Sequence, residues 1–420
     1  MTATSGEAVV VSDRFEIDHA QPLPELDYGP SNAFAATDMR GGTTGVFAIL
    51  PNPKLPLRLH AIARLRRIDN NNLLRPLAWQ VVDWPADGRR RPAIVVERPR
   101  GERLVGSSDA QFEPFREENL IRRVLQPICT VLEDLAGTGI VHRNIRAENL
   151  YLDGDDRIEA PIMLGECVSA PAGYLQPAEY ETIECGTANA SGRGAGSIAD
   201  DLYALGVTAC ILHTGRNSFA GLSAADVTRQ KLALGSYAAF TNTARVAGDL
   251  VEVFRGLLND DPGDRWGLED LQMWLGGRRS SPRQQSRPAK SSLPLEVEGE
   301  THVTARSAAD GLSRHWDEGL KLVESGAVDD WLRRGLADED RIDAVNAAKS
   351  LKPGASESDI TLARICIALD PVGPIRLRSV RAMLDGIGTE LACRYADEQT
   401  RADLKPYFAT GGNGATGDAG

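Results

Sequence analysis

Short apolar runs separated by Gly, Asn and charged residues characterise the first hundred residues of the chain. The runs lie at 8–11, 46–50, 72–77, 79–84 and 92–99. Runs of this length bounded by turn-forming residues are typical of β-strands. One stretch differs, because 57–67 carries apolar residues at helical spacing. The pattern predicts a β-rich region that contains one helix.

Beyond residue 117 the apolar positions recur every three or four residues, the spacing of a helix with one buried face. The positions in the first such helix are Leu120, Val124, Ile128, Val131, Leu132 and Leu135. Pro127 falls within this helix and should kink it. The longest nearly unbroken apolar run, Leu202 to Leu212, is too short to span a bilayer and predicts a buried helix. A further strand is expected at 157–162.

The remaining segments differ in composition. Residues 1–25 are acidic and mixed, with one short strand at 8–11. Residues 277–308 combine Ser, Pro and Gln with first basic and then acidic residues, which predicts a disordered linker; a basic docking segment is the alternative. Amphipathic periodicity predicts a helical domain at 309–407, including a short helix around Val380 to Leu384. Residues 408–420 predict a flexible tail.

Composition places the chain among soluble globular proteins. Hydrophobic residues make up 42% and charged residues 25% of the 420 positions, and the net charge of −12 argues against binding to nucleic acid or anionic membranes. The first residues lack the features of a signal peptide, and no membrane insertion is expected. Six scattered cysteines without a CxxC pair argue against disulfides or a zinc site and favour a cytoplasmic setting.

The most informative stretch is His142-Arg143-Asn144, followed by Asn149 five residues after Asn144. It resembles the catalytic loop of protein kinases, in which His-Arg-Asp is followed five residues later by Asn. In that family the Asp accepts the proton of the substrate hydroxyl and the Asn holds magnesium. The Asp position here is Asn144, and a carboxamide cannot take up a proton near neutral pH.

Other motifs of the same family follow in the expected order. Pro177-Ala178-Glu179 is similar to the Ala-Pro-Glu motif, the stretch from Asp201 matches the start of the central buried helix, and Asp261-Pro262 precedes Arg265 as in the Asp-Pro-x-x-Arg element. The resemblance implies that Asp201 holds the backbone of the catalytic-like loop and that Glu179 pairs with Arg265. Between Glu179 and Asp201 the chain is about nine residues longer than usual. This insertion, Gly186 to Gly196, predicts a flexible loop.

The resemblance implies an α+β, bilobal protein-kinase-like fold over 26–276, with a β-rich N-lobe (26–98) and a helical C-lobe (99–276). A small all-α domain should follow. The positions to which the resemblance assigns roles are the degenerate Leu50, Asn144 and Met163, the retained His142, Arg143, Arg146 and Asn149, the nucleotide-facing Gly29, Glu97 and Arg98, and the structural Gly165, Glu179, Asp201 and Arg265.

Several positions depart from what phosphoryl transfer needs. Leu50 replaces the phosphate-binding Lys, Met163 aligns with the magnesium-binding Asp, and the 57–67 helix offers no Glu. Of the phosphate-loop glycines only Gly29 remains. Asn149 is then either a vestigial metal ligand or a loop cap, and Arg143 is either a partner for a phosphorylated residue or a structural ion pair. Glu166, Glu159 or Asp153 could stand in as a metal ligand.

These departures predict a degenerate bacterial Ser/Thr kinase, that is, a pseudokinase acting as a binding, scaffold or regulatory module with a protein partner. No cofactor is expected, although weak ATP and magnesium binding stays open. Two alternatives remain: an active Ser/Thr kinase or kinase-fold transferase that uses noncanonical residues, or a sensor domain that controls the C-terminal helical domain as effector.

Overall fold

The computed structural model describes residues 8–43, 45–242, 245–246, 248–278, 282, 288–350 and 357–401. The strands in these ranges are β1 (Val9–Val11), β2 (Phe15–Pro22), β3 (Asn32–Asp38), β4 (Val46–Leu50), β5 (Pro76–Trp84), β6 (Arg89–Glu97), β7 (Leu150–Leu152), β8 (Ile162–Leu164), β9 (Leu295–Val297), β10 (Glu300–His302), β11 (Ile375–Leu377) and β12 (Val380–Ala382).

The α-helices of the same ranges are α1 (Leu59–Leu65), α2 (Glu117–Leu120), α3 (Gln126–Thr138), α4 (Ile183–Gly186), α5 (Ile198–Thr214), α6 (Ala224–Leu234), α7 (Ser236–Thr241), α8 (Gly248–Leu257), α9 (Leu268–Leu275), α10 (Ala305–Arg314), α11 (Trp316–Glu324), α12 (Ala327–Asp330), α13 (Glu339–Ser350), α14 (Glu357–Leu369), α15 (Ile387–Ala396) and α16 (Glu398–Arg401). In the part of the chain described, no helix is long and apolar enough to cross a membrane.

The chain divides into two compact units, each made of separate segments. Unit 1 is formed from Met1–Glu181, Ala195–Leu222 and Tyr237–Arg283, and unit 2 from Thr182–Gly194, Ser223–Ser236 and Gln284–Gly420. The mixture of a sheet and many helices confirms the α+β class. Unit 2 thus takes in two internal segments as well as the C-terminal part of the chain.

A six-stranded antiparallel sheet in the order β1-β2-β3-β4-β6-β5 forms the first part of unit 1. Alternation of apolar and polar residues explains β2, where Phe15 and Ile17 are buried and Glu16 and Asp18 are exposed. The strand predicted at 8–11 is β1, and β2 follows it without having been predicted. The segment 1–25, placed before the domain expected at 26–276, therefore supplies two strands of the sheet. The two strands expected at 72–77 and 79–84 are instead the single strand β5.

A continuous helix over 117–138 carries the predicted buried stripe through α2, a π-helical turn at Ile121–Leu125, and α3. Pro127 lies inside this helix, two residues after the end of the π turn, which accommodates its missing N–H. The predicted buried helix is α5, and nearly all its side chains are buried. The strand expected at 157–162 is instead the shorter β8, paired antiparallel with β7.

Unit 2 has a largely helical core but is not all-α, which corrects the sequence prediction. Two β-hairpins, β9–β10 and β11–β12, accompany the helices. The short helix predicted around Val380 is β12, because Ile375-Arg376-Leu377 and Val380-Arg381-Ala382 alternate with period two across a two-residue turn. Alternation also explains β9, where Leu295 and Val297 are buried on one face.

Two further predictions are corrected by unit 2. Disorder was predicted for 277–308, yet β9, β10 and the start of α10 lie within 288–308; residues 279–281 and 283–287 fall outside the described ranges. The insertion at 186–196, predicted to be a flexible loop, contains a 3₁₀ turn at Ala190–Gly192 and packs against β12 and α15. The tail predicted at 408–420 lies outside the described residues.

Candidate functional site

The loop around His142 is fixed by one buried carboxylate. Helix α3 ends at Gly139 in the left-handed conformation (φ 67°), and the chain turns into the loop. Asp201, in the first turn of α5, accepts hydrogen bonds from the backbone N–H groups of His142 (2.6 Å) and Arg143 (2.7 Å). These are the contacts expected for Asp201 from the sequence. Burial raises the pKa of this carboxyl to about 6, and the two N–H groups oppose the rise.

His142 is buried beneath the loop. Its Nε2 lies 3.1 Å from the carbonyl oxygen of Gly165, so Nε2 carries the proton and donates it. Nδ1 has no hydrogen-bond partner among the described residues. Burial lowers the pKa of His142 to about 3, and the ring is therefore neutral at ordinary pH. His142 supports the loop rather than serving as an exposed acid or base.

The side-chain amides of Asn144 and Asn149 both donate to one backbone carbonyl oxygen. The Nδ2 of Asn144 donates to the carbonyl oxygen of Glu166 (2.9 Å), and the Nδ2 of Asn149 donates to the same oxygen (3.0 Å) and to that of Asn144 (2.8 Å). The Oδ1 of Asn144 accepts from Nε of Arg146 (3.1 Å). Asn144 is only 2% exposed, so a substrate hydroxyl could not reach it without rearrangement of the loop.

The Oδ1 of Asn149 has no hydrogen-bond partner among the described residues and lies against Gly165. A Cβ at Gly165 would come within 2.0 Å of that oxygen. Gly165 therefore has its structural role because it leaves room for the Asn149 amide. The hydrogen bonds that the Asn149 Nδ2 donates to the carbonyl oxygens of Asn144 and Glu166 agree with the loop-cap interpretation, and they do not involve Oδ1, the atom that a metal would bind.

Glu166 turns its buried carboxylate toward its own chain. Oε2 accepts from the N–H groups of Val168 (2.7 Å) and Ser169 (2.9 Å), and Oε1 accepts from the Ser169 hydroxyl (2.6 Å). The acceptor sites that magnesium would need are thus occupied by hydrogen-bond donors. No group of three His, Cys, Asp or Glu side chains suited to a metal ion exists within the described ranges. The residues present do not fit the magnesium site of the resembled family.

Met163 does not lie beside the His142 loop, where its alignment with the magnesium-binding Asp would place it. It lies inside β8 opposite Tyr151, whereas Gly165 and Glu166, just beyond the strand, contact His142, Asn144 and Asn149. The sequence alignment was therefore displaced, because β8 begins later than the strand expected at 157–162. Glu166, considered only as a stand-in ligand, is the residue beside the loop.

The segment before residue 182 packs onto the other side of the loop. Gln176 accepts from the backbone N–H of Ile145 (3.0 Å) and donates to Glu181 (3.0 Å). Glu181 in turn accepts from the fully buried Arg143 guanidinium (2.9 Å). This favours the structural ion pair for Arg143, a residue that also holds a positive φ of 62°.

A second buried pair joins the same segment to the loop. The Tyr180 hydroxyl donates to the Glu148 carboxylate (3.2 Å). Burial raises the pKa of Glu148 and raises the pKa of Tyr180 well above its usual value. Arg146, the other retained position, lies between the Asn144 amide and Glu148, 3.9 Å from the latter carboxylate.

Two buried tyrosines connect the turn before β3 with β7, the strand that follows the loop. The hydroxyl of Tyr151, two residues after Asn149, donates to the hydroxyl of Tyr28 at 2.8 Å. The Arg103 guanidinium lies over both rings, 4.9 Å and 5.2 Å from their centroids. It also donates to the carbonyl oxygens of Asp27 (2.6 Å) and Glu148 (2.7 Å). Burial raises the pKa of both tyrosines, so both are neutral.

Gly29 is part of a tight turn rather than an open phosphate loop. The backbone groups of Tyr28 and Ser31 exchange hydrogen bonds of 3.1 Å, and Gly29 adopts a positive φ of 58°. A Cβ at Gly29 would lie 3.1 Å from the Leu175 side chain. The N–H groups of Tyr28 and Ser31 are thus both bonded within the turn, and the Tyr28 side chain is buried.

Leu50 and the two other positions expected to face a nucleotide, Glu97 and Arg98, lie in different surroundings. Leu50 is fully buried at the end of β4. Glu97 accepts from Arg75 (3.2 Å), and Arg98 is an exposed residue that donates to Glu25 (3.2 Å). None of these three positions converges with the loop residues into a charged site.

Arg58, just before α1, supplies a tether that sequence reasoning missed. Its Nη1 donates to the carbonyl oxygens of His142 (2.7 Å) and Cys167 (2.9 Å), and its Nη2 donates to that of Val141. Helix α1 has no Glu, as expected, and the loop is held from this side by a cation bound to carbonyls. Arg58 follows the prolines at 51, 53 and 56 within a basic stretch, so the sequence carried no signal for it.

The buried side chains of Glu179 and Arg265 each form a hydrogen bond with another residue. Glu179 accepts from the amide of Asn217 (2.9 Å). Arg265 donates from Nε to the carbonyl oxygen of Asn259 (2.8 Å) and lies 5.4 Å from the ring centroid of Tyr203. The pairing of Glu179 with Arg265 stays a prediction.

Comparison with known proteins adds little to this geometry. No family model matches the chain, and no curated protein matches it significantly. Among solved structures, one match is the crystal structure of Rad53 1-466 in complex with AMP-PNP, at 13% sequence identity and a TM-score of 0.43. The match covers 62% of this chain and spans 64% of that chain. A likeness at this TM-score supports no argument, so a functional assignment has to rest on the residues themselves.

Proposed function

We propose that unit 1 is a protein-kinase-like domain without catalytic activity, a pseudokinase, that serves as a binding, scaffold or regulatory module for a protein partner. One observation carries the proposal: Asn144 and Asn149 both donate to the carbonyl oxygen of Glu166, with Asn144 buried. The side-chain amides at the two positions that would act on substrate and metal are components of one buried hydrogen-bond network. A substrate hydroxyl could reach Asn144 only if buried hydrogen bonds of this network were broken.

The proposal includes weak or absent nucleotide binding. In the resembled family the nucleotide lies between the phosphate loop and the catalytic loop, where Tyr28 and Tyr151 here bond to each other. The phosphates would meet the buried Leu50 instead of a Lys. Burying phosphate charges without a partner is unfavourable. A cytoplasmic protein without nucleic-acid ligands is the setting that fits the acidic composition.

The first test is phosphoryl transfer by the full-length chain. The chain is incubated with radiolabelled ATP, magnesium and generic protein acceptors, and no transfer above a heat-killed control is expected. The matched variant is Asn144→Asp, which restores the carboxylate of the resembled motif. It should remain inactive, because the position is inaccessible and magnesium has no site. Transfer by the wild-type chain that disappears in Asn149→Ala would refute the proposal.

The second test measures nucleotide binding by calorimetry with ATP, with and without magnesium. Neither the wild-type chain nor Tyr28→Phe, which keeps the ring in place, should bind in the micromolar range. Tyr28→Ala removes the ring and serves as the opened control. A micromolar dissociation constant for the wild-type chain would favour the alternative of an active kinase or kinase-fold transferase.

The other alternative, a sensor that controls an effector, makes a different demand on unit 2. Unit 2 includes two internal segments of the chain as well as the C-terminal part. A sensor and its effector should communicate, so a ligand of unit 1 should alter hydrogen exchange in unit 2. An exchange pattern in unit 2 that stays unchanged when a unit 1 partner binds would count against this alternative.

A further inference from the structure

A cavity of about 510 Å³ lies at the end of α5, within unit 1. Phe115 and Arg116 line it from the segment before α2, His213 and Arg216 line it from the end of α5, and Arg245 lines it from the segment between α7 and α8. Sites that bind small molecules have volumes of about 300–1,000 Å³. The cavity therefore has the size of a ligand site.

This cavity is separate from the candidate functional site. Asp201, which holds the His142 loop, lies in the first turn of α5, whereas His213 lies in the last turn. At about 1.5 Å per helical residue, the two positions are about 18 Å apart along the helix axis. A small molecule bound in the cavity would not reach the loop.

Hydrogen bonds fix the wall of the cavity that precedes α2. The backbone N–H of Phe115 donates to the carbonyl oxygen of Leu212 (2.8 Å), and the N–H of Phe112 donates to that of Gly215 (3.0 Å). The Nδ1 of His213 lies 3.3 Å from the carbonyl oxygen of Phe115. Carbonyl groups at the C-terminus of a helix carry partial negative charge, which would repel an anion. Here the carbonyl groups of Leu212 and Gly215 are already engaged by donors.

The cavity is basic, although the chain as a whole carries a net charge of −12. Arg116, Arg216 and Arg245 are exposed and line it, and no described Asp or Glu does. Within the described ranges, none of these three guanidinium groups pairs with a carboxylate. Another exposed arginine of unit 1, Arg122, does have such a partner, because it donates to Glu159 (2.6 Å). Three converging cations without a carboxylate create a positive potential that attracts anions.

We propose that this cavity, here called the arginine pocket, binds a small molecule through a diphosphate group. A guanidinium group donates paired hydrogen bonds in a planar fork that matches the oxygens of a phosphate. A diphosphate carries several negative charges and can bind more than one of the three arginines at once. Inorganic pyrophosphate and an organic diphosphate share this chemistry. The inference does not depend on the function proposed for unit 1.

The test is titration calorimetry of the full-length chain in magnesium-free buffer. Inorganic pyrophosphate should bind saturably with a Kd below about 1 mM, and orthophosphate should bind at least about tenfold more weakly, because it has one phosphoryl group. The chain with Arg116→Ala and Arg216→Ala should bind pyrophosphate at least about tenfold more weakly. ADP is the second probe. Tighter binding of ADP than of pyrophosphate, lost in the same variant, would identify an organic diphosphate as the ligand; weaker binding would identify pyrophosphate itself.

The matched control is Arg66→Ala with Arg67→Ala, which removes the same charge from two exposed arginines outside the pocket. It should leave the Kd for pyrophosphate within about twofold of the wild-type value. An equal loss in both alanine pairs would show general charge attraction and would overturn the proposal. So would the absence of saturable binding by the wild-type chain.

A lysine pair, Arg116→Lys with Arg216→Lys, keeps the charge and removes the fork of each guanidinium group. Pyrophosphate should bind this variant at least about threefold more weakly than the wild-type chain, and more tightly than the alanine pair at the same two positions. If that alanine pair does not fold, as judged by circular dichroism, the lysine pair takes its place. Unchanged binding of pyrophosphate by whichever of the two variants is folded overturns the proposal.

Discussion

Replacement of Asp201 by Ala tests the framework of the candidate site most directly. The carboxylate accepts two backbone N–H groups at 2.6 and 2.7 Å and is fully buried. Removing it leaves both donors without a partner, at about 1–3 kcal/mol each, or about 2–6 kcal/mol together. An opposing gain exists, because the raised pKa of about 6 means that the ionised carboxylate is itself disfavoured by about 3 kcal/mol at neutral pH.

The balance predicts a net loss of up to about 3 kcal/mol in the free energy of unfolding of unit 1. For a domain of this size each kcal/mol lowers Tm by about 2–4 °C, so Asp201→Ala should lower the Tm of unit 1 by up to about 12 °C. Differential scanning calorimetry of the full-length chain measures this, with Asp201→Asn as an intermediate. The amide can still accept one of the two hydrogen bonds, so its loss should be smaller.

Asn144→Ala is the matched control in the same loop. Removing the Asn144 side chain leaves no buried polar group without a hydrogen-bond partner. The Glu166 carbonyl oxygen still accepts from the Asn149 amide, and the partly exposed Arg146 can bind water. The expected loss is about 1 kcal/mol or less. If Asn144→Ala lowers Tm as much as Asp201→Ala, the distinction between framework and degenerate positions in this loop is wrong.

Three further changes test neighbouring contacts. The folded pKa of His142 (about 3) lies below its unfolded value of 6.5, so the unfolded chain binds more protons between these two pH values. The free energy of unfolding therefore falls as pH drops through this range, by at most about 1.4 kcal/mol per pH unit. His142→Gln should reduce that pH dependence, measured as denaturation midpoints at pH 7 and 5, and an unchanged pH dependence would contradict the neutral buried ring. Gly165→Ala should displace the Asn149 amide and lower Tm by several degrees, whereas Gly88→Ala, with no atom near its Cβ but a positive φ of its own, should show only the cost of backbone strain. Arg58→Ala should speed hydrogen exchange at residues 141–143 without changing β5; unchanged exchange would show that the tether is dispensable.

The sequence predicted contacts where burial left few alternatives. A carboxylate heading the apolar run of α5 must be buried and must find donors, and the loop of His142 was the only candidate that the motif order supplied. The same logic predicted the buried stripe of the 117–138 helix. It did not predict the π turn, which depends on how the backbone accommodates Pro127.

The contact between Tyr28 and Tyr151 was not predictable from the same reasoning. Tyr28 and Tyr151 are far apart in sequence, and each reads as an ordinary aromatic beside a turn or in a strand. Arg103 lies in an irregular segment with no periodicity to interpret. The displacement of Met163 shows a related limit. A strand that begins five residues later than expected moves a motif position, and its register is set by the pairing of β7 with β8.

The small residues of the insertion at 186–196 have a consequence for protein engineering. A stretch rich in Gly, Ala, Ser and Asn is the usual choice for inserting an affinity tag, a protease site or a fluorescent reporter, because such stretches are tolerant in most proteins. Here the backbone carbonyl of Arg381 occupies the space that a side chain at Gly192 would need, 2.6 Å from the position of its Cβ. A reporter placed at Gly192 should therefore disrupt unit 2. The hairpin tip at Gly88, where no atom lies within 4 Å of the added Cβ, is the better position for one.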